Sequence, residues 1–563
     1  MGPALFTTDY MGFYRNIFNV AFITLIMLLP IQVEAKMVIV RSVDDFHNKE
    51  SESCIYYLIK ERVDLGGAHI SLAPNSKLLF KKGSLVNGIV EGNNTQIKRW
   101  NNQNVFCNCL IRGTWRVEYA YSTMFDDDLD AIVLLRNLSR LSPKVRLSSN
   151  REYHITAKGE VIELELLEAV EKRKPTLRFH TEDPNINGLN ISGDNVILRN
   201  LIIVDDYNPL NDLIYGKNNL TSGNTIGVCS SKKEVETLHI SGCEFKGSTS
   251  SSYIASSQTK NCLIKNCFFS GYMADHAIYC SMKAVSFALQ DCIINDVEHT
   301  TGLFKIRTSN EFKSFYLKNI KANNLNGYMA RISLLETPSS LIHFDGITVS
   351  KDVNNKSIFY GFCITDETEQ LEGTGRYNTS EIIVNNCVFE YGYGGESMIY
   401  PGSEKKVCAK TIKYINVKAT QSNFGGGVSD YLYVNHCHFK DCTDNQGILI
   451  ASKNVLIENS TLSRDNSIGG NNLFLLNYSK VNTDSFQLNS VDFDLNVGNM
   501  FKINNGDNIE LRLKKCYLPS LSKNLIYSSP KNHIVYKIEN NKGKTVGTYN
   551  EIGNCSVKPV IAI

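Results

Sequence analysis

Apolar and polar residues recur along residues 196–518 as apolar-x-apolar-x-x-apolar-x-apolar. Clear copies begin at Leu238, Cys262 and Ile382, and each runs on through a Cys-x-Phe segment. Successive copies lie 22 to 42 residues apart, a period that predicts stacked repeats rather than one closed globule. A weaker copy keeps only Ile412, Ile415 and Val417, and the remaining copies begin at Val196, Phe287, Phe315, Ile342, Leu432, Val455, Phe486 and Leu511.

The spacing inside each copy predicts two short strands joined by a bend. Alternation at every second residue is typical of a strand with one buried face. The extra residue in the middle must turn the chain so that the second strand also faces inward. The fifth position is Gly, Asn or Asp in eight of the twelve copies, and these residues tolerate the left-handed conformation that a sharp bend needs. This pattern predicts an all-β chain folded as a right-handed parallel β-helix of twelve or more coils.

A leucine-rich repeat is the nearest alternative, because its strand has similar spacing. It would place a leucine three residues before each strand and a helix in each return. The preceding positions here include Gly193, Thr259 and Ser452, and the returns are rich in Gly, Ser and Asn. The composition therefore favours the β-helix.

Six of the sixteen cysteines share one inward position of the repeat, so we expect an interior ladder of small apolar side chains. A bridge such as Cys243–Cys267 would be within reach between adjacent rungs. No cysteine and histidine cluster has the spacing of a zinc site. The ladder comprises Cys243, Cys267, Cys292, Cys387, Cys437 and Cys516.

The N-terminus is typical of a secretory signal peptide. Arg15 precedes the apolar run Ile17–Leu29, and Val33-Glu34-Ala35 provides a small-residue cleavage site. The alternative is an uncleaved anchor, but no later segment is long enough to span a membrane. We therefore expect an exported protein (periplasmic, cell-surface or extracellular) without an integral membrane span once the signal is removed.

Charge indicates no nucleic-acid partner, because the formal net charge is only +2 and Lys and Arg form no dense runs. Nothing in the sequence indicates an oligomeric state. The predicted organisation is a signal peptide at 1–35, a small β module at 36–120, a capping helix within 121–143, the β-helix at 144–540, and a C-terminal tail or cap at 541–563.

Two further segments accompany the repeats: Asn75-Ser76-x-Leu78-x-Phe80-x-x-Gly83-Ser84-Leu85 and Asp127-Asp128-x-x-Ala131. With these segments, over roughly residues 60–520, the chain resembles the pectate-lyase-like superfamily of secreted β-helix proteins, in particular those exported by gut Bacteroidetes-type bacteria. The resemblance implies the fold and a carbohydrate-active function with a polysaccharide partner, but not one activity, because the superfamily includes lyases, hydrolases, epimerases and adhesins.

Two well-known catalytic signatures of the superfamily are absent. The chain has no Gly-His-Gly, which polygalacturonase-type hydrolases carry, and no Trp-Ile-Asp-His, which the pectate lyases carry. Asp205-Asp206 and Asn482-Thr483-Asp484 occur far apart and out of order. The resemblance therefore does not extend to those two chemistries.

Candidate chemistry lies on the strands that follow each Cys-x-Phe segment. Aligning these strands places Tyr279, Lys305 and Arg331 in one outward column with one rung between neighbours. Like charges this close would lower the pKa of Lys305, and such a lysine acts as a general base near neutral pH. We assign the column as catalytic. Three neighbouring side chains are assigned to substrate binding: Arg307, His276 at the edge, and Tyr328.

Arginine pairs with a uronate carboxylate through two hydrogen bonds, so this column suits β-elimination on an acidic polysaccharide. The arrangement is similar to that of alginate-lyase and chondroitinase-B type lyases, which makes Ca²⁺ a candidate cofactor, although the sequence contains no ligand set for a metal. The alternatives are solvated charges on a non-catalytic scaffold, and hydrolysis by a carboxyl pair. Candidate carboxyls are Asp275, Asp296, Glu298, Glu311 and Glu396, and candidate sugar-stacking rings are Tyr328, Tyr360, Tyr391, Tyr393 and Tyr400.

Overall fold

The computed structural model consists of two compact units. Unit 1 comprises the chain up to Val117 together with Met124–Asp126, and unit 2 comprises Glu118–Thr123 and the chain from Asp127 onward. The predicted signal peptide lies outside the described residues. The structure describes residues 36–47, 49, 52–99, 103–156, 159–181, 183, 185–208, 223–230, 234–299, 301–335, 337–366, 379–393, 396–400, 408–442, 447–464, 472–477, 482–504, 509–517, 520–528, 533–539, 545–552 and 556–557.

Unit 1 is built from parallel strands. Asn87 and Asn108 have φ of 56° and 48°, and the Asn108 amide donates to Asn87 Oδ1 over 3.0 Å. Asparagine at these bends thus supplies both the left-handed backbone and a bond to the next turn. The strands are Met37–Val40, Tyr56–Ile59, Arg62–Asp64, His69–Ser71, Lys77–Phe80, Ser84–Arg99 and Phe106–Trp115. Short 3-10 helices span Val43–Phe46 and Ser122–Met124.

Unit 2 is a right-handed parallel β-helix, as predicted, and we call its three faces sheets 1, 2 and 3. The first half of each sequence repeat lies on sheet 1, the second half on sheet 2, and the following strand on sheet 3. The strands of sheet 1 are Ala120–Tyr121, Lys144–Leu147, Leu166–Ala169, Asn195–Arg199, Val235–Ser241, Thr259–Lys265, Ser286–Gln290, Ser314–Lys318, Thr337–Asp345, Thr379–Asn385, Cys408–Ile415, Val428–Asn435, Ser452–Glu458, Ser485–Asn489, Ile509–Lys514, His533–Glu539 and Thr545–Ile552.

Sheets 2 and 3 continue each coil around the same core. Sheet 2 contains Glu152–Thr156, Thr176–His180, Ile202–Asp206, Glu244–Thr249, Phe268–Met273, Ile293–His299, Lys321–Leu325, Thr348–Ser350, Val388–Phe389, Lys418–Thr420, His438–Lys440, Thr461–Ser463 and Asp492–Asp494. Sheet 3 contains Val161–Glu163, Leu189–Ser192, Ile226–Cys229, Ser252–Ser257, His276–Ala284, Phe304–Thr308, Ala330–Leu334, Phe362–Asp366 and Ile399–Tyr400, and further along the chain Ile448–Ile450, Asn472–Leu476, Asn496–Ile503, Ser520–Ser528 and Ser556–Val557. A separate short pair joins Glu396–Ser397 to Ser422–Asn423.

The bend between sheets 1 and 2 confirms the prediction from the repeat. The strand register pairs Ile412 with Ile382 and Leu432, so the weaker copy begins at Ile412, two residues later than its predicted spacing, and its bend residue is Asn416. With that copy so placed, the fifth residue has a positive φ in all twelve copies, including the three that are not Gly, Asn or Asp. These three are His436, Ser490 and Lys515, with φ between 53° and 55°. The coil geometry therefore imposes the left-handed residue even where the side chain does not favour it.

Side chains that point inward from the three sheets form the core. Phe245 and Phe269 stack on successive coils with centroids 4.9 Å apart, and both are fully buried. Of the cysteine ladder, Cys243, Cys267 and Cys292 are also buried. The described cysteines are free thiols, with the Cys292 sulfur 3.4 Å from the backbone nitrogen of Cys267.

One α-helix, Ala131–Leu141, is present among the described residues, so the helical returns of a leucine-rich repeat are absent there. Its N-cap is Asp130, whose side chain accepts from the backbone nitrogens of Ile132 and Val133. Leu134, Leu135 and Leu138 are fully buried, and the helix contacts the strands of the first coil. No helix in the described part of the chain is long and apolar enough to cross a membrane.

The last coil ends in an antiparallel pair. Thr545–Ile552 pairs with His533–Glu539, and Ser556–Val557 pairs with Ser520–Ser528, whereas the other ladders are parallel. Parallel coils expose unpaired backbone groups at their end, which invites edge-to-edge association. The antiparallel pairing of Thr545–Ile552 with His533–Glu539 satisfies one side of that edge.

Candidate active site on sheet 3

The outward column predicted from the alignment is present on sheet 3. Tyr279 is in register with Lys305, Lys305 with Arg331, and Arg331 with Cys363. All three predicted catalytic side chains are half-buried, and their inward neighbours Ile278, Phe304 and Ala330 are fully buried. The column therefore rests on a rigid apolar floor, and the roles of its members in catalysis remain a prediction.

The lysine of this column lies over the ring of the tyrosine. Lys305 Nζ is 4.8 Å from the centroid of the Tyr279 ring. An ammonium group at this distance is attracted by the negative face of the ring, worth about 0.5–2 kcal/mol. The contact orients the lysine along the column.

Arg331 has room to lie along the sheet because the residue beside it is glycine. A Cβ added to Gly302 would lie 2.5 Å from Arg331 Cβ. Arg331 Nε is buried and has no hydrogen-bond partner among the described residues. A buried guanidinium donor without a partner is costly for the protein.

Arg307 lies one outward step from the column and is in register with Ser333. Its side chain is half-buried, with Nε shielded from solvent. It is thus on the same face as Lys305 and Arg331, as predicted.

His276 is not at an open edge, contrary to the prediction, and cannot contact a substrate in this structure because it is fully buried. Its Nδ1 lies 2.5 Å from the carbonyl oxygen of Gly302. Its Nε2 lies 3.0 Å from Asp275 Oδ1, in poor alignment for a hydrogen bond. The imidazole therefore packs against the Asp275 carboxylate without making a well-aligned hydrogen bond to it.

Asp275 is a carboxylate close to the predicted column, because it directly precedes the sheet 3 strand His276–Ala284 that carries Tyr279. Its side chain is 33% exposed, and the Thr301 hydroxyl donates to its Oδ1 over 2.6 Å. Burial would raise the pKa of Asp275, but His276, Thr301 and the charge of Lys305 outweigh it and lower the pKa to about 2. Burial, in turn, lowers the pKa of His276 more than Asp275 raises it. Asp275 is therefore ionised near neutral pH.

Three tyrosines form a ladder beside the column. The rings of Tyr328 and Tyr360 have centroids 5.3 Å apart, and those of Tyr360 and Tyr393 are 4.8 Å apart. Tyr328 lies three residues before Arg331, so the ladder begins next to the basic column. Tyr391 does not belong to it, because it is buried and its hydroxyl donates to the Leu325 carbonyl.

Some predicted features fall outside this geometry. Parts of the long returns at 204–237 and 361–381 lie outside the described residues, as do the side chains of Glu396 and Tyr400. Asp296 lies within a strand of sheet 2, has a positive φ of 52°, and accepts from the Asn324 amide on the next strand of the same sheet. Among the described residues no group of three or more His, Cys, Asp or Glu side chains is arranged to hold a metal ion.

Comparisons with known proteins add little to this description. No protein-family model and no curated protein matches the chain. One matching solved structure is the catalytic domain of a GH87 α-1,3-glucanase variant in complex with nigerose, with 9% identity and a TM-score of 0.30. The match covers 72% of this chain and 66% of that one, slightly less than two thirds of its length. A likeness at this TM-score carries no argument, so fold and function are inferred from the geometry of the chain itself.

Proposed function

We propose that this chain is an exported, carbohydrate-active protein that binds an acidic polysaccharide along sheet 3 and cleaves it by β-elimination. The observation that carries the proposal is the column of Tyr279, Lys305 and Arg331 in register on three successive coils. Export rests on the signal-peptide pattern, and the resemblance to pectate-lyase-like proteins of gut Bacteroidetes-type bacteria belongs to the same proposal.

Binding of a uronate fits the charges of this face. Arg331 would hold the carboxylate through the exposed part of its half-buried side chain. Arg307 is on the same face, one step further out. Pairing the carboxylate with a guanidinium makes the proton on the adjacent carbon more acidic, because negative charge that develops there is stabilised.

Elimination then needs one base and one acid. Neutral Lys305 would remove the proton from C5, the C4–O4 bond would break, and a C4=C5 double bond would form. The leaving oxygen would take a proton from the Tyr279 hydroxyl. No water is consumed, and the products are a new non-reducing end with an unsaturated uronate and a new reducing end.

The tyrosine ladder would extend the binding surface. Sugar rings present apolar faces that pack on aromatic rings, and Tyr328, Tyr360 and Tyr393 provide such rings on successive coils. A chain that passes the basic column would reach Tyr328 first. The ladder would thus contribute affinity rather than chemistry.

Hydrolysis on the same face is the second candidate, and Asp275 favours it. A half-buried carboxylate that stays ionised suits a nucleophile or general base. A hydrolase would need a second carboxyl group roughly 5–5.5 Å or 6.5–9.5 Å away. A third candidate is a non-catalytic polysaccharide-binding scaffold that uses the same residues.

A turnover screen against uronate-containing and neutral polysaccharides distinguishes the three candidate functions. Absorbance of the unsaturated product together with new reducing ends indicates a lyase, reducing ends alone indicate a hydrolase, and binding without either indicates a scaffold. We expect Lys305→Ala and Arg331→Ala to abolish turnover, and Lys321→Ala, an exposed lysine of sheet 2, to retain it. Full activity in both column variants would overturn the assignment.

A further inference from the structure

A second concave site lies on the outward face of sheet 1, several coils further along the chain than the proposed active site on sheet 3. Three successive strands, Ser452–Glu458, Ser485–Asn489 and Ile509–Lys514, form a cavity of about 320 Å³ there. Binding sites for small molecules have volumes of about 300 to 1,000 Å³, so this cavity is large enough for a small ligand. The proposed β-elimination uses none of its residues.

The side chains that face this cavity form two columns of three. The strand register aligns the residues of each column on successive coils, about 4.8 Å apart. The two columns are separated by two residues along each strand, or about 6.6 Å, and the residues between them point inward and are buried. The columns are Leu456, Gln487 and Arg512, and Glu458, Asn489 and Lys514.

The two cations of the cavity have donors that the protein does not use. Arg512 Nε donates to Glu510 Oε1 over 2.6 Å, and Arg512 Nη2 lies 2.6 Å from the same oxygen, which leaves Nη1 without a partner among the described residues. Lys514 Nζ also has no hydrogen-bond or ion-pair partner within the described part of the chain. Two neighbouring cationic donors suit a carboxylate.

Glu458 supplies a fixed acceptor in the same cavity. The Tyr433 hydroxyl donates to Glu458 Oε1 over 2.6 Å. Burial and this hydrogen bond raise the pKa of Tyr433 to about 12, so the hydroxyl stays protonated and continues to donate. The contact orients the carboxylate and leaves Oε2 able to accept from a ligand hydroxyl.

Leu456 gives the cavity an apolar surface, because it is an outward leucine that is only half-buried. Gln487 and Asn489 lie on the strand between the Leu456 strand and the strand that carries the two cations. Their amide groups can both donate to and accept from hydroxyls. The cavity thus combines an apolar surface with amides, one carboxylate and two cations, which matches a sugar that carries hydroxyls and a carboxylate.

We propose that this cavity is a non-catalytic site for one or two residues of a uronate-containing saccharide. Lys514 and Arg512 would hold the carboxylate, Glu458 and the two amides would bind hydroxyls, and Leu456 would pack on a ring face. The choice of ligand rests on the proposed function. A second site on the same β-helix would hold a long acidic chain and raise its effective concentration at sheet 3.

Calorimetric titration with uronate trisaccharides tests the proposal. The probes are the trisaccharides of galacturonate, mannuronate and glucuronate, with maltotriose as the neutral comparison. The full chain carries Lys305→Ala and Arg331→Ala, so that sheet 3 neither cleaves nor holds the probe. We expect one molecule per chain for at least one uronate probe and no binding of maltotriose. Adding Lys514→Ala or Arg512→Ala should weaken the binding about 10- to 100-fold.

Lys265 provides a matched control. It is an exposed lysine that ends the sheet 1 strand Thr259–Lys265, just as Lys514 ends its own strand, so Lys265→Ala should leave the affinity unchanged. The methyl resonances of Leu456, assigned with Leu456→Ala, report on the cavity in the native chain. They should shift with the uronate probe and not with maltotriose. Circular dichroism verifies that each variant is folded.

The proposal is wrong if none of the three uronate probes binds, or if the variant that combines Lys514→Ala with Arg512→Ala binds as before. Turnover of a uronate polysaccharide by the native chain, together with either result, would leave the proposed function intact. Binding at this cavity without any turnover would instead support the second site and contradict β-elimination on sheet 3.

Discussion

Lys305 Nζ lies 4.8 Å above the centre of the Tyr279 ring, on adjacent coils of sheet 3. If Lys305 is the base, Lys305→Ala should lower kcat on a uronate polysaccharide about 100- to 10,000-fold. Tyr279→Phe keeps the ring beneath the lysine but removes the hydroxyl, so a similar loss would assign the acid to that hydroxyl. The measurement is the initial rate of unsaturated product formation. Near-native kcat in Tyr279→Phe would leave the tyrosine with an orienting role only.

His276 is expected to act through Asp275. Without the imidazole, burial would raise the pKa of Asp275 with less opposition, so this carboxylate should titrate at higher pH in His276→Ala, which the NMR shift of its carboxyl carbon measures. His276→Gln, whose amide can donate to the carboxylate, should restore part of the shift. A loss of stability with an unmoved titration of Asp275 would show that the ring serves packing alone.

We expect the tyrosine ladder to affect binding of the polysaccharide but not the rate of the chemical step. Tyr360 lies between Tyr328 and Tyr393, so Tyr360→Ala removes the central ring. At about 0.5–1.5 kcal/mol per aromatic contact, KM should rise about 2- to 10-fold while kcat is unchanged. Tyr431→Ala, an exposed tyrosine on sheet 1, is the control and should leave KM at its native value. A fall in kcat alone would contradict this interpretation.

We expect the buried carboxyl of Asp205 to make the free energy of unfolding depend on pH. The carboxyl is fully buried, and burial raises its pKa to about 6 despite hydrogen bonds from Thr225, Thr181 and the backbone of Tyr207. The folded chain therefore holds this proton more tightly than the unfolded chain, so the contribution of Asp205 to stability is greatest below about pH 4 and falls through about pH 6, by about 3 kcal/mol.

Urea unfolding between pH 3.5 and 7.5 measures this contribution. The difference in unfolding free energy between the native chain and Asp205→Asn should change across that window, whereas Asp494→Asn, an exposed aspartate on sheet 2, should show a constant difference. A constant difference for Asp205→Asn would mean that the buried carboxyl titrates as it does in the unfolded chain.

The repeat predicted the fold because one residue pattern encodes both strands and the bend between them. The register of Tyr279, Lys305 and Arg331 followed from counting back from each motif, since inward and outward positions alternate strictly. His276 was misplaced because it lies where a strand begins, and alternation does not specify burial at a turn. The left-handed conformation of Lys515 and His436 was not predictable from residue type, because the neighbouring coils impose it.

The contact between His154 Nδ1 and His180 Nε2, which lie 2.9 Å apart on neighbouring strands of sheet 2, was likewise not predictable from the sequence. They belong to coils before the clear repeats begin, and their contact is diagonal across the ladder, two positions out of register. Pattern matching aligns residues that occupy the same rung position, so it does not detect a diagonal neighbour. The dipeptide Asp275-His276 was visible, but its partner Thr301 becomes adjacent only through stacking.

The uniform bend has a consequence for how such a chain can diversify. The return segments differ in length from one turn to the next, yet Lys305, Arg331 and Cys363 still align. Differences in the length of the return segments therefore do not change the register of the strands. A new recognition loop can be inserted into a return, or exchanged, without moving the residues of the proposed active site. The same arrangement means that removing a single residue inside a strand would reverse its faces, bury charges and expose the core.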